Sequence, residues 1–262
     1  MQIVHSQHTS NSKPPVLKKV LRILLILILT LCLIGGAAIY FLDKPKPEGT
    51  NIELADEVAK KVLVATNAAA WETTRFVKWT FAANHHFLWD KKRNYVQVKW
   101  DDDEVLLYTQ NLQRSVAFTN GRMLDGDEKS KLVQKAWEFF CNDSFWLCAH
   151  TKLFDPGTAR YLIEGKPGKH VMVQYSSGGV TPGDTYLWNL DDNYRPVSYE
   201  MWVSIIPIGG LEASWSDWTE TRTGAWLPNA HSLGPITIAI SDLATSQVLE
   251  ELVSSDPFAE LK

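Results

Sequence analysis

Cysteine is scarce in this chain, three residues in 262. Cys32 falls in an apolar run, which leaves only Cys141 and Cys148 for the rest of the protein. Two cysteines cannot build the disulfide framework of a small secreted scaffold, so the fold must rest on a hydrophobic core. An oxidising compartment would let them pair across a short loop. A helix or straight strand between them would instead keep two separate thiols. Positive charge is also short: residues 47–262 hold 20 basic and 29 acidic residues, a net charge of −9. Phosphate contacts need Lys and Arg, so nucleic acid is excluded as a partner and anionic headgroups are disfavoured.

Catalytic signatures are missing as well. The sequence has no glycine-rich phosphate loop, no nucleophile elbow and no zinc-protease helix. The expectation is a protein that is not an enzyme and needs neither cofactor nor metal. His85 and His86 are adjacent on a strand and point to opposite faces, so they do not share an ion. Asp101-Asp102-Asp103-Glu104 lacks the glycine and spacing of a calcium loop and reads as a solvated turn. Asp143, Asp155 and Asp184 sit beside turn residues and are expected to shape turns. Asp217, between Trp215 and Trp218, is the carboxylate to watch for a displaced pKa.

What the chain does have is one apolar run of membrane length, Ile23 to Leu42, free of charge and preceded by Lys13, Lys18, Lys19 and Arg22. At about 1.5 Å per residue such a run spans roughly 30 Å, the thickness of a bilayer core. The flanking charges place residues 1–22 in the cytoplasm and the remainder beyond the inner membrane, so the membrane itself is a partner through residues 23–42. Gly36-Ala37-Ala38 offers small residues for a signal peptidase. Apolar character continues through Ile39-Tyr40-Phe41-Leu42, which favours an uncleaved anchor. Residues 43–50, with Lys44-Pro45-Lys46-Pro47, read as a stiff linker, and 51–262 as one exported domain.

Helical spacing covers Leu54 to Ala69, then alternation takes over, cleanest in Tyr95 to Trp100. Asn120-Gly121 predicts a type I′ hairpin. A second helix is expected from Glu128 to Phe140, its apolar face extended by Phe145-Trp146-Leu147. Strands follow at Ala159–Glu164, His170–Tyr175, Thr185–Leu190, Val197–Val203, Leu211–Thr219 and Ile236–Ile240. Such a series reads as a mainly β, α+β domain: a curved antiparallel sheet or half-open barrel with the Trp137 helix over its apolar face.

Eleven tryptophans, all outside the apolar run, are the most unusual feature. Trp79, Trp89, Trp137, Trp146, Trp188, Trp202 and Trp215 are the candidates to line a hydrophobic groove, with core filling as the plainer role. An ordered series of short motifs carries a resemblance. It runs from Trp71-Glu72-Thr73-Thr74 and Trp79-Thr80-Phe81 through His86-Phe87-Leu88-Trp89-Asp90-Lys91 and Asn120-Gly121-Arg122. It continues with Asn142-Asp143-Ser144-Phe145-Trp146-Leu147, Lys152-Leu153-Phe154-Asp155-Pro156-Gly157, Thr181-Pro182-Gly183-Asp184-Thr185-Tyr186 and Trp215-Ser216-Asp217-Trp218. Over roughly residues 70–231 the chain resembles an exported bacterial family of uncharacterised chemistry whose fold is similar to LolA and LolB, the lipoprotein carrier and receptor. The resemblance implies a half-open barrel with helices over an apolar concavity, and a lipid or lipidated ligand inside it. A protein-interaction or scaffolding domain with a filled core is the alternative.

Overall fold

The computed structural model describes residues 15–50, 52–178 and 182–261. It comprises two units, residues 1–43 and 44–262. In the first, helix α1 (Pro15–Leu42) contains a 25-residue stretch, Lys18–Leu42, in which an 18-residue window reaches a mean hydropathy of 2.7, long and apolar enough to cross a membrane. Most of the basic N-terminus expected in the cytoplasm, residues 1–14, lies outside the described residues, as do Asn51 and Thr181.

The second unit opens with helices α2 (Ile52–Ala65) and α3 (Ala68–Thr73), where the sequence predicts one helix over 54–69. Asn67 breaks it: its backbone is left-handed (φ 50°, ψ 52°) and its side-chain amide donates to the Gly224 carbonyl at 2.9 Å. Strands β1 (Phe76–Phe81), β2 (His85–Asp90), β3 (Tyr95–Trp100), β4 (Asp103–Tyr108), β5 (Val116–Thr119) and β6 (Arg122–Met123) form an antiparallel meander. Between β5 and β6, Asn120 and Gly121 both have positive φ (50° and 74°), as a type I′ turn requires. Helix α4 (Gly126–Cys148) follows.

Strands β7 (Thr158–Tyr161), β8 (Lys169–Tyr175), β9 (Thr185–Leu190), β10 (Pro196–Trp202) and β11 (Leu211–Ser214) make a five-stranded sheet in the order β11-β10-β9-β8-β7. After the small ribbon β12 (Thr219–Glu220) and β13 (Trp226–Leu227), β14 (Ala230–Leu233) and β15 (Ile236–Ser246) complete an eight-stranded sheet, β14-β15-β1-β2-β3-β4-β5-β6. The strand expected over 211–219 stops early because the chain reverses at exposed Asp217 (φ 54°), whose carbonyl accepts from the Asn229 side chain at 2.8 Å. The strand expected over 236–240 runs on to Ser246, since a bulge at Asp242 (φ 54°) absorbs one extra residue and keeps β15 paired with β1. The two sheets meet beside β11 and β14, where Ser216 bridges Ala230 and the Ser232 amide donates to Ser214 Oγ at 2.8 Å.

Period-two alternation sorts the core. Val77, Trp79 and Phe81 of β1 join Val96, Val98, Trp100, Val105 and Leu107 on the face that α4 covers. Phe76, Leu88 and Leu106 point the other way, under a C-terminal segment carrying Leu249, Phe258 and Leu261. A third cluster lies between the five-stranded sheet and α2, which buries Ala55, Ala59 and Val62 at helical spacing.

The segment read as a stiff linker is bound to the domain. The Lys44 amide donates to the Gly209 carbonyl at 2.9 Å, and the Trp202 indole donates to the Lys44 carbonyl at 2.8 Å. Thr50 and Leu162 exchange both backbone hydrogen bonds at 2.8 Å. A Cβ on Gly49 would meet Tyr161 at 2.3 Å, so glycine is what lets this strand lie flat on β7.

Candidate functional site

Helix α4 is the element that both aromatic clusters share. Asp127 and Glu128 in its first turn favour the helix dipole. Its inward stripe, Val133, Ala136, Phe140, Asp143, Ser144, Leu147 and Cys148, follows i, i+3, i+7 spacing from Val133 to the helix's end, which carries the helix past Phe140, where the sequence ends it. Cys141 and Cys148 both lie on this helix and are free. Seven residues of helix separate their Cα atoms by about 10 Å, beyond the roughly 7 Å that a disulfide tolerates. Burial pushes the Cys141 thiol up to about 12 and Cys148 up as well, so both are inert as nucleophiles.

Under the first half of α4, Trp79 stacks on Phe87 at 4.5 Å between ring centres, and Phe140 inserts beside Trp89 at 5.1 Å and Trp137 at 6.1 Å. Under the second half, Phe145 packs on Tyr186 at 4.7 Å and Trp146 on Tyr199 at 5.5 Å. Trp188 and Trp215 lie edge to face at 4.9 Å, deeper in the same cluster. Of the seven candidate tryptophans, Trp79, Trp188 and Trp215 are fully buried, and Trp89, Trp137 and Trp146 are half-buried along the edges of α4. Trp202 does not join them. Tyr199 and Met201 take the inward positions of β10, so Trp202 faces the other way and pins Lys44.

The aromatic face carries donors without acceptors. The indole N–H groups of Trp79, Trp100 and Trp188 and the Tyr175 hydroxyl are buried and make no hydrogen bond. Tyr175 sits 5.6 Å from Phe145 of α4 and Trp100 5.3 Å from Phe139 of α4, so these two lie against the helix, while Trp79 and Trp188 belong to the clusters that α4 packs on.

Sequence reasoning missed the polar contact that fastens α4 to the sheet. His85 of β2 and Asp143 of α4 meet at 2.7 Å (Nδ1 to Oδ2), and the Asn142 side chain donates to the other carboxylate oxygen at 2.8 Å. Phe139 stacks on the His85 ring at 3.8 Å. Asp143 therefore lies within the C-terminal part of α4, buried, and not at a turn. His86, on the opposite face, bonds Thr80 at 2.9 Å, and Thr80 donates to Asp242 at 2.8 Å. Among the described residues no group of His, Cys, Asp and Glu is arranged to hold a metal ion. Burial pushes the Asp143 carboxyl up from its ordinary range, against the hydrogen bonds from His85 and Asn142 that pull it down.

His85→Ala should accordingly destabilise the protein by about 3–5 kcal/mol at neutral pH, because it strands a buried carboxylate. A carboxyl whose folded pKa is raised favours the folded state once protonated. The deficit should therefore shrink as pH falls through that raised value and be smallest below the ordinary carboxylate range. Urea unfolding across pH reads this directly, and Asp143→Asn in the same background should flatten the dependence.

Two surface clefts lie away from the aromatic face. One of about 440 Å³ is bordered by Asp101, Asp103, Glu104, Phe118 and Glu260, the other of about 290 Å³ by Lys60, Lys61, Val64 and Tyr194.

The solved structures similar to this chain include two from bacteria. One is a DUF1329 family protein from Desulfovibrio piger, 9% identical over 78% of this chain and 98% of that one, with a TM-score of 0.42. The other is a putative outer membrane lipoprotein-sorting protein domain from Vibrio parahaemolyticus, 10% identical over 77% of this chain and 96% of that one, with a TM-score of 0.36. No family model matches the chain, and no curated protein matches it.

Proposed function

We propose that residues 44–262 form a non-enzymatic binding domain that takes an acyl chain or a lipidated ligand against the aromatic face under α4. In this reading the apolar run of α1 tethers the domain to the outer side of the inner membrane, with the N-terminus in the cytoplasm. The observation that carries it is the set of unpaired donors on that face, Trp79, Trp100, Trp188 and Tyr175. A packed core gives buried indole and phenol groups an acceptor, and leaving each one unpaired costs about 1–3 kcal/mol. Rings around donors suit a ligand that is mostly hydrocarbon with an ester or amide carbonyl. The inward face of α4 also holds a buried carboxylate, a less secure seal than an all-apolar stripe.

One observation favours a second reading, a protein-interaction or scaffolding domain with a filled interior. Aromatic rings pack against one another beneath α4, and the larger of the two clefts is on the outer surface with an acidic rim suited to a basic partner. Lipid mass spectrometry of purified residues 44–262, followed by titration with fatty acid and lipopeptide, separates the two. Co-purifying lipid or a change in tryptophan fluorescence is the expected result. Empty protein with unchanged fluorescence removes the lipid reading.

A further inference from the structure

An uncharged stretch runs from Met201 to Leu211, between Glu200 and Glu212. Its loop, Val203 to Gly209, contains three isoleucines and a proline. The loop has a fixed shape: the Ser204 amide donates to Asp184 Oδ1 at 3.1 Å, the Ile206 amide to the Val203 carbonyl at 3.2 Å, and the Gly210 amide to the Met201 carbonyl at 2.9 Å. Within it Ile206 packs inward against the five-stranded sheet's cluster, while Ile205 and Pro207 point out, Ile205 with 69% of its surface exposed. Isolated exposed apolar residues are ordinary. This group is distinguished by where the chain holds it.

Gly209 and Trp202 both bond Lys44, and Lys44 follows Leu42, the last residue of the apolar run, by two positions. Two residues reach at most about 7 Å. If residues 23–42 span a bilayer, backbone connectivity keeps the Gly209 end of this loop within reach of the membrane surface. Its composition fits that depth. Trp202 is half-exposed with its indole N–H engaged, the amphipathic pose favoured at a membrane interface. Lys44 keeps 57% of its side chain exposed while its ammonium pairs with Glu200 Oε2 at 3.3 Å, a charged pair suited to the polar side of an interface.

We infer that the loop of residues 203–209 is a membrane-contact surface that seats Ile205 and Pro207 at the headgroup–acyl boundary of the bilayer holding the chain's own anchor. The apolar side chains leave water without leaving the domain, and Trp202 and Lys44 mark the polar side of the boundary. The bilayer would then fix one end of the domain. This inference rests on the reading of residues 23–42 as a span, so its test must report on each separately.

The test uses the full chain in vesicles of phosphatidylethanolamine and phosphatidylglycerol, with Cys141 and Cys148 replaced by alanine. Native Cys32, inside the apolar run, carries an environment-sensitive fluorophore in one sample. In others, with Cys32→Ala, it is carried by Ile205→Cys, by Pro207→Cys as a second loop position, or by Met123→Cys on β6. Nitroxides attached shallow or deep on the lipid chains act as quenchers. The loop probes should shift to the blue and lose most of their emission to the shallow nitroxide, with Met123→Cys little affected and Cys32 quenched by the deep one. Loop probes quenched no more than Met123→Cys, with Cys32 quenched, overturn the loop contact alone. An unquenched Cys32 overturns the span and the loop contact together.

Discussion

Between pH 6.5 and 4 the domain should lose stability steeply, with two buried histidines setting the slope. His150 is fully buried, its Nε2 donating to the Trp226 carbonyl at 3.1 Å, with Trp218 edge-on at 4.9 Å and Trp215 at 5.5 Å. Burial lowers its pKa to about 3, more than the Trp226 carbonyl can restore. His231, 4.6 Å from Trp215, donates Nδ1–H to the Ser214 carbonyl at 3.0 Å and is lowered to about 4, again by burial first. A histidine with a depressed folded pKa binds its proton more readily when unfolded. Its contribution is thus fully present above 6.5 and is lost as pH falls toward the folded value. Each such group can contribute a slope of up to about 1.4 kcal/mol per pH unit inside that window.

Substituting His150→Gln retains a donor for Trp226, and His231→Asn retains one for Ser214. Neither amide titrates. Both variants will lose packing at neutral pH, so the reading is the slope of unfolding free energy against pH, measured in urea at each pH. Each substitution should flatten it, and together they should remove most of it. Asp143 runs in the opposite direction and is common to all the proteins compared. A wild-type profile flat from pH 6.5 to 4 would mean that water reaches both rings, contrary to the packing around Trp215.

Much of this arrangement is legible in the sequence because local periodicity controls it. The alternation of β1 and β3 puts Trp79 and Trp100 on one face, and i, i+3, i+7 spacing predicts that α4 lies over that face. The same rule also settles Trp202, since Tyr199 and Met201 take the inward positions and the strand's phase outweighs the aromatic character of its next residue. Boundaries were harder where one residue decides. Asn67, Asp217 and Asp242 adopt positive φ to end or bend an element, which no apolar pattern announces. The His85–Asp143 contact was out of reach for a different reason. It joins residues 58 apart, and its carboxylate stands in a sequence of turn-forming residues that the helix overrides. The bound segment 44–50 reads as a proline-spaced linker because the edge that receives it, Leu162, and the loop that holds it, Gly209, are far away in sequence.

Tryptophan truncation should separate core from lid. Trp215 touches Trp188, Tyr199, His150 and His231 and is 2% exposed, so Trp215→Ala removes a large side chain from a site that cannot collapse. A loss of about 3–5 kcal/mol is expected, a large share of the 5–15 kcal/mol that stabilises a typical domain. Trp137 is half-buried at the edge of α4 and contacts Phe140 at 6.1 Å. Its removal should cost clearly less, because part of the ring already meets water and the edge of a surface helix relaxes readily. If α4 lifts to admit an acyl chain, the order should reverse for ligand retention. Trp137→Ala would then lose bound lipid while keeping most of its stability. Unfolding in urea and lipid retention, measured on the same two purified variants, decide the matter. Retention that falls only in proportion to stability in both would show that α4 is simply a core helix, and the filled-interior reading would stand.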